Sequence, residues 1–147
     1  MCSIRKVRES EYPALVHIWE KAVGATHDFL AESDFEHIKS RLTGYFDHVD
    51  LYAYTIGAGI DGFLGVSADN IEMLFVSERG RGMGTSLLDF ATGELGINKV
   101  DVNLHNTAAL EFYRKYGFRE ISRSEFDSQG LPYPIVHMAL DPAPGAK

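Results

Sequence analysis

The segment 70–88 carries the residue pattern that points most directly to chemistry. An apolar, strand-like run at 71–76 leads into a loop that contains Gly80, Gly82 and Gly84, and a helical pattern follows at once. The N–H groups at the start of a helix have no intrahelical acceptor, and the helix dipole adds partial positive charge there. Glycines let the backbone approach a phosphate closely. The segment is therefore predicted to bind a phosphate group.

Two nucleotide-binding patterns do not fit this loop. A Walker A loop needs a lysine directly before its Ser or Thr, whereas Gly84 precedes Thr85. A dinucleotide fingerprint, G-x-G-x-x-G, ends on Thr85 when it starts at Gly80, and on Leu87 when it starts at Gly82. The loop also follows what reads as an antiparallel meander, which is the wrong setting for a dinucleotide fold.

A third pattern, Arg/Gln-x-x-Gly-x-Gly/Ala, is matched by Arg79, Gly82 and Gly84. A second block, 102–118, reads as a strand, an Asn, a helix, Phe-Tyr and Gly-Phe. In this order and spacing, the two blocks resemble the acetyl-CoA-binding segments of the GNAT superfamily of N-acetyltransferases. The Thr-His-Asp-Phe-Leu segment at 26–30 is similar to that of small single-domain bacterial members. The resemblance covers the chain except its tail and implies acetyl-CoA as cosubstrate.

The resemblance implies a particular cofactor site. In the family, the pyrophosphate sits on backbone N–H groups of the glycine loop, and the pantetheine arm extends the sheet as a pseudo-strand. Two arginines of the loop would add charge-assisted contacts to the phosphates. The matching positions are Phe75, Val76, Arg79, Arg81, Gly82, Met83, Gly84, Thr85, Asn103, Asn106, Ala109, Phe112 and Tyr113. Asn106 is also a good helix cap whatever the function.

The implied reaction is the direct transfer of an acetyl group to a primary amine within a ternary complex, without a metal. The amine must be neutral to attack, and the oxyanion of the tetrahedral intermediate needs a donor, which the Val76 N–H would supply. Tyr113 matches the family's general-acid tyrosine and would protonate the leaving thiolate. From the residues alone, Tyr113 also fits the packed stripe of its helix, beside Phe112 and Tyr116.

The general base stays open among three residues. Glu72 is a carboxylate in an otherwise apolar run, and the resemblance implies that such a residue acts through water. Strand alternation predicts that Glu72 shares a face with Leu74, opposite Phe75. His27, in the loop that would border the acceptor site, and His105, which follows a strand, are the alternatives.

The elements that must position these residues follow from hydrophobic periodicity, which predicts the order β-α-α-β-β-β-α-β-α-β-β. This order predicts the fold class α/β (α+β), with a mixed, mostly antiparallel seven-stranded sheet flanked by four helices, and the resemblance implies that this is the GNAT fold. The strands on either side of the glycine loop are predicted to run parallel. Ser10 and Ser33 are predicted to cap the first two helices. We expect a single domain at 1–141 and a disordered tail at 142–147.

Composition restricts the partners. The 147 residues suit one domain, and a net charge of −7 argues against a general nucleic-acid surface and is compatible with an amine substrate. No apolar run reaches the ~20 residues of a membrane span, and the first residues lack the apolar core of a signal peptide. The one cysteine, Cys2, cannot form an internal disulfide. We expect a cytoplasmic monomer or homodimer that binds a small-molecule or peptide amine, without nucleic-acid or membrane partners.

Two other classes of function stay open. A catalytically silent acyl-CoA-binding sensor would use the same fold, but it would not need both Tyr113 and Glu72. A nucleotide-binding module would use the glycine loop alone, although the Walker lysine is missing and Asp101 does not lie in the setting of a ribose ligand. The acceptor amine is not identified by the sequence, so polyamines, aminoglycosides, amino acids and protein amines are all compatible.

Overall fold

The computed structural model describes residues 2–26, 32–78, 80–127 and 130–140. The strands are β1 Cys2–Lys6, β2 Asp50–Ile56, β3 Gly59–Ser67, β4 Asn70–Val76, β5 Lys99–Asn103, β6 Phe118–Ser124 and β7 Ile135–Leu140. The helices are α1 Tyr12–Thr26, α2 Glu32–Phe46, α3 Met83–Asp89 and α4 Thr107–Tyr116. A 3₁₀ turn, Glu9–Glu11, precedes α1, and a π-helical segment, Phe90–Glu94, continues α3. The predicted order of strands and helices is therefore confirmed.

The strands form one mixed sheet in the order β1-β2-β3-β4-β5-β7-β6. Every neighbouring pair is antiparallel except β4 and β5, which run parallel as the loop–helix connection predicts. The parallel pairing covers only Asn70 with Lys99 and Ile71 with Val100. Beyond these two pairs the strands are no longer paired, and a gap opens toward their C-terminal ends.

Two hydrophobic cores lie on opposite faces of the sheet. On one face, α3 and α4 cover strand residues such as Leu64, Val102 and Val136. On the other face, α1 and α2 cover Leu51, Phe63 and other residues of the first half of the sheet. The gap between β4 and β5 is therefore bordered by helices on both faces.

A β-bulge in β4 changes the orientation predicted for Glu72. Gly65 pairs with Met73 and the next residue of β3 pairs with Ile71, so Glu72 is the extra residue. Ile71 and Leu74 pack in the α3/α4 core, while Met73 packs in the α1/α2 core. The prediction that Glu72 shares a face with Leu74 is wrong, because the bulge interrupts the alternation and turns Glu72 toward α2.

The helix ends confirm one predicted capping residue and contradict two others. Asn106 caps α4 by accepting the N–H of Ala109 at 3.2 Å, as predicted. Gly117 closes the same helix with φ of 126°, a conformation that favours glycine. Ser10 lies inside the 3₁₀ turn and α2 already starts at Glu32, so neither Ser10 nor Ser33 takes the capping position predicted for it. Among the helices of the described ranges, none is both long and apolar enough to cross a bilayer.

Candidate active site

A cavity of about 510 Å³ lies beside the C-terminal half of β4, between the starts of α3 and α4. It brings together most of the residues that the glycine loop and the second block predicted. These are Phe75, Val76, Arg81, Gly82, Met83, Gly84, Thr85, Asn106, Ala109, Phe112 and Tyr113. Such a volume is typical of a small-molecule or cofactor site.

The start of α3 presents free N–H groups to this cavity. The first intrahelical bond runs from the Ser86 N–H to the carbonyl of Gly82 at 3.0 Å, so the N–H groups of Met83, Gly84 and Thr85 precede the hydrogen-bonded ladder. Gly82 adopts φ of +78° at the N-cap, where a side chain would be strained. The loop is thus shaped to hold an anion at the positive end of the helix.

The backbone of β4 also offers hydrogen bonds to the gap. The Ser77 N–H donates to the Asp61 carbonyl at 2.8 Å, which fixes the alternation of the antiparallel β3–β4 ladder. By that alternation the backbone groups of Phe75 point to β3, while those of Leu74 and Val76 point into the gap. A Cβ atom at Gly62 would lie 3.1 Å from the Phe75 carbonyl oxygen, which agrees with this orientation. Phe75 therefore lines the cavity, but its backbone is used within the sheet.

Tyr113 is buried in the wall of the cavity. Only 6% of the residue is exposed, and its ring packs edge-on against Phe112 and Phe118 at 5.2 and 5.5 Å between centroids. No hydrogen bond links its hydroxyl to another residue within the described ranges. Burial raises the pKa of the Tyr113 phenol, because the phenolate loses hydration. The group therefore stays a proton donor in alkaline solution.

Two charged side chains of the loop, those of Arg81 and Glu78, are paired with each other. The Nε of Arg81 lies 3.0 Å from an Oε2 of Glu78, and both side chains are more than half exposed. Glu78 also lines the cavity, so Arg81 would have to exchange this carboxylate for a phosphate. Arg79, the other predicted cation, lies outside the described residues.

The two asparagines of the second block differ. Asn106 lines the cavity while capping α4. Asn103 accepts the His105 N–H on its side-chain oxygen at 2.8 Å and is not among the residues of the cavity wall. The Asn103 side chain therefore stabilises the turn after β5. It does not line the cavity, where the sequence predicted it to lie.

Of the three candidates for the base, the two that the structure describes, Glu72 and His105, do not line the cavity. Glu72 does not line the cavity; its carboxylate accepts the Tyr45 hydroxyl at 3.1 Å and the Asn70 side-chain N–H at 3.0 Å. Burial, followed by the charge of Glu72, raises the pKa of Tyr45 to about 12. His105 is exposed in the turn after β5, away from the cavity wall. His27 lies outside the described residues.

Sequence reasoning missed one wall of the cavity, formed by Lys21, Ala22 and Val23 of α1. The periodicity of α1 identifies its core stripe, but no local signal shows which part of the helix reaches the gap. The Tyr133 hydroxyl donates to the Asp34 carboxylate and joins the β6–β7 connection to α2. Within the described ranges, no cluster of three or more His, Cys, Asp or Glu residues is arranged to hold a metal ion.

Comparison with known proteins agrees with this geometry. A family model described as an acetyltransferase (GNAT) domain matches residues 20–141. The chain belongs to the GNAT acetyltransferase family. Enzymes of this family use acetyl-CoA as the acetyl donor, and the cavity at the start of α3 lies where this GNAT chain has its predicted cofactor residues.

Individual relatives resemble this GNAT chain over nearly its whole length. It is 33% identical to the peptidyl-lysine N-acetyltransferase YjaB of Salmonella typhimurium over 141 residues, which is 94% of this chain and 97% of the relative. The solution structure of apo-form YjaB from Escherichia coli is similar with a TM-score of 0.88 and 33% identity, covering 97% of this chain and 99% of that one. The PaiA N-acetyltransferase of Thermoplasma acidophilum in complex with coenzyme A shares the fold at 17% identity and a TM-score of 0.68, covering 93% and 98%.

Proposed function

We propose that this GNAT chain transfers the acetyl group of acetyl-CoA to the side-chain amine of a lysine in a peptide or protein, by direct attack in a ternary complex. One observation carries the proposal. The free N–H groups at the start of α3, the outward backbone of β4 and the hydroxyl-bearing ring of Tyr113 all border one cavity.

The cofactor would follow the edge of β4. Its pyrophosphate would sit on the N–H groups of Met83, Gly84 and Thr85, where the helix dipole stabilises negative charge. Arg81 would add a charge-assisted bond once it leaves Glu78. The pantetheine amides would pair with the backbone of Leu74 and Val76, which β5 does not reach.

The chemistry would take place at the end of β4. The acceptor nitrogen attacks the thioester carbonyl carbon, and the Val76 N–H, which points into the gap, donates to the developing oxyanion. Collapse of the intermediate breaks the C–S bond, and Tyr113 donates its proton to the departing thiolate. The buried phenol suits this role because it keeps its proton at the pH at which amines become nucleophilic.

Glu72 is the proposed base, acting at a distance. Val76 is four positions further along the strand, which corresponds to about 13 Å. A carboxylate at that distance would remove the ammonium proton through water rather than by contact. The bulge supports this role because it turns Glu72 to the face of α1 and α2, away from the α3/α4 core. Asn70 and Tyr45 fix the carboxylate in place.

The choice of a lysine acceptor rests on the relatives and on charge. Two relatives, from Salmonella typhimurium and Escherichia coli, are named peptidyl-lysine N-acetyltransferases. The first turn of α2 carries Glu32 and Asp34, and Glu72 lies under the same helix pair. Together with the net charge of −7, these carboxylates favour an approaching ammonium group.

The test is a thiol-release assay with acetyl-CoA over lysine-containing peptides, polyamines, aminoglycosides and amino acids. We expect thiol release with lysine peptides and loss of that release when the lysine is replaced by norleucine, which keeps the aliphatic chain but has no amine. Release with a small amine alone would move the acceptor to another class. Acetyl-CoA binding without release for any acceptor would favour the silent sensor instead.

A further inference from the structure

Three side chains outside the acetyl-CoA cavity have the connectivity of a nucleophilic triad. Oγ of Ser124 lies 2.6 Å from Nε2 of His137, and Nδ1 of His137 lies 2.6 Å from Oδ1 of Asp101. The residues come from β6, β7 and β5: Ser124 and His137 are 13 residues apart in the chain, whereas Asp101 and His137 are 36 residues apart. A serine, a histidine and a carboxylate connected in this order form the arrangement that activates a serine for acyl transfer, and it is recognised by geometry rather than by sequence position.

The register of the sheet creates this arrangement. Asp101 lies directly opposite His137 in the β5–β7 ladder, and Ser122 is the residue opposite His137 in the β6–β7 ladder. Ser124 is two residues further along β6, on the same side of the strand, and therefore reaches the ring diagonally. The flanking Val102 and Val136 point into the α3/α4 core, so the triad lies on the opposite face of the sheet.

The carboxylate is itself held in place. Asn70 donates one side-chain N–H to Oδ2 of Asp101 at 3.3 Å and also bonds to Glu72 at 3.0 Å. With Asp101 fixed, the favoured form of His137 carries its proton on Nδ1 and leaves Nε2 free to accept the Ser124 hydroxyl. This is the tautomer that a general base for serine needs.

Solvent and substrate can reach the triad. The side chains of His137 and Asp101 are 30% and 38% exposed, and Ser124 is an exposed residue. A second cavity of about 320 Å³ is lined by His137, Asp101, Ser122 and the exposed Ile121; Ser124 does not line it and is exposed beside the His137 ring. Because β6 is the outermost strand, alternate N–H groups along it have no strand partner and can bond to an oxyanion.

We propose that Ser124, His137 and Asp101 form a second catalytic site, which hydrolyses small, uncharged or cationic carboxylic esters. Oγ of Ser124 attacks the ester carbonyl carbon while its proton passes to Nε2 of His137. The C–O bond breaks, and the alcohol leaves with that proton. Water then attacks the acyl-serine, returns a proton through His137 to Oγ, and releases the carboxylic acid.

The preference for uncharged or cationic esters follows from the local charges. Asp101 and Glu72 are joined through Asn70 on this face, and the nearby Lys99 is paired with Asp69 at 3.2 Å. Three carboxylates, those of Asp69, Glu72 and Asp101, therefore lie around Lys99 on this face, and their charge would disfavour an anionic ester. The apolar Ile121 can contact a short acyl chain.

The first experiment is covalent labelling of the full chain with a fluorophosphonate probe, followed by peptide mapping. An activated serine attacks phosphorus and expels fluoride, so we expect the label on Ser124. Absence of labelling, or labelling of other residues with Ser124 unmodified, would overturn the proposal. The substitution Asp101→Asn, which keeps the shape but favours the wrong tautomer of His137, should slow labelling at least tenfold.

The second experiment measures hydrolysis of p-nitrophenyl acetate. Ser124→Ala and His137→Gln should each lower the rate by about 10²-fold or more, and the double variant should be no slower than either single one, because the two groups act as a unit. Ser40→Ala is the matched control, since Ser40 is an exposed serine on α2 whose hydroxyl, within the described ranges, bonds to the carbonyl of His37 and to no histidine ring. Equal rates for wild type and Ser124→Ala would refute a nucleophilic serine.

Discussion

Gly84 at the start of α3 lies directly against the ring of Phe112 in α4: a Cβ atom at Gly84 would be 3.3 Å from Cζ of Phe112. This contact lies between the two helices that border the cavity beside β4. The glycine is needed here for close packing, whereas Gly82 beside it is needed for its positive φ.

A Gly84→Ala substitution should therefore push α4 away from α3, because the added methyl group would press against the Phe112 ring. We expect a destabilisation of about 1 kcal/mol from overpacking and a several-fold higher KM for acetyl-CoA. Thermal unfolding and steady-state kinetics measure the two effects. Gly93→Ala is the control, because a Cβ atom there meets nothing within 4 Å, and it should leave KM unchanged.

Tyr113→Phe should lower kcat by at least tenfold while acetyl-CoA still binds, because only the proton donor is lost. Calorimetric binding and initial rates separate the two quantities. Tyr116→Phe is the matched control on the same helix. The Tyr116 hydroxyl donates to Asp89 at 2.6 Å, and Tyr116 does not line the cavity. An unchanged kcat for Tyr113→Phe would remove the residue from the mechanism.

The base can be identified from the dependence of kcat/KM on pH in Glu72→Gln and His27→Ala. A base acts only when deprotonated, so the rate rises with pH through its pKa. If Glu72 is the base, its glutamine variant loses that rise and keeps only the later rise caused by the amine itself. Loss of the rise in His27→Ala, with Glu72→Gln unchanged, would assign the base to His27.

Glu78 is expected to compete with the phosphates for Arg81. Glu78→Gln frees the arginine and removes a negative charge from the cavity wall, so KM for acetyl-CoA should fall, by up to about fivefold for an exposed pair. The gain should shrink at high ionic strength. Glu94→Gln makes the same charge change at an exposed position outside the cavity and should leave KM unaltered.

The contacts of Glu11 make the stability of the fold depend on pH in the acidic range. Its hydrogen bonds with the Arg5 side chain, then with the Arg8 backbone, lower its pKa to about 2. A depressed pKa stabilises the fold above the unfolded value near ~4.3 and loses this effect as pH falls toward 2. Solvent screening limits the contribution to about 1 kcal/mol.

Urea unfolding of Glu11→Gln should consequently show lower stability than wild type at pH 7, and the difference should shrink at pH 3. Glu111→Gln, which breaks an exposed i,i+4 pair with Lys115, should show no such difference. Parallel loss in both variants would mean that net charge, rather than the Arg5 contact, is responsible.

Local signals predicted much of the fold and most of the residues that line the cavity beside β4. Gly82, Asn106 and Gly117 act through their own backbone conformation or capping bond, so their types and positions suffice to identify them. The orientation of Glu72 was not predictable in the same way, because the bulge depends on the pairing of β4 with β3. Alternation alone cannot show where such an extra residue falls.

Other features depend on contacts between distant parts of the chain. The wall formed by Lys21 of α1 requires the helix to be docked on the sheet. The contact of His137 with Ser124 and Asp101 requires the strand order β5-β7-β6, in which the last strand of the chain lies between two earlier ones. The spacing of these three residues in the sequence does not predict their contact.

The two pairs that join β4 to β5 make the sheet two antiparallel ladders with a narrow seam. The α3/α4 core contains residues of both ladders, such as Leu64 and Met138, whereas the strand residues of the α1/α2 core come from β2, β3 and β4 only. The α3/α4 core therefore joins the two ladders across the seam, whereas the α1/α2 core packs on the first ladder. Amide hydrogen exchange should therefore find weaker protection along the edges of β4 and β5 beyond Ile71 and Val100 than inside either ladder.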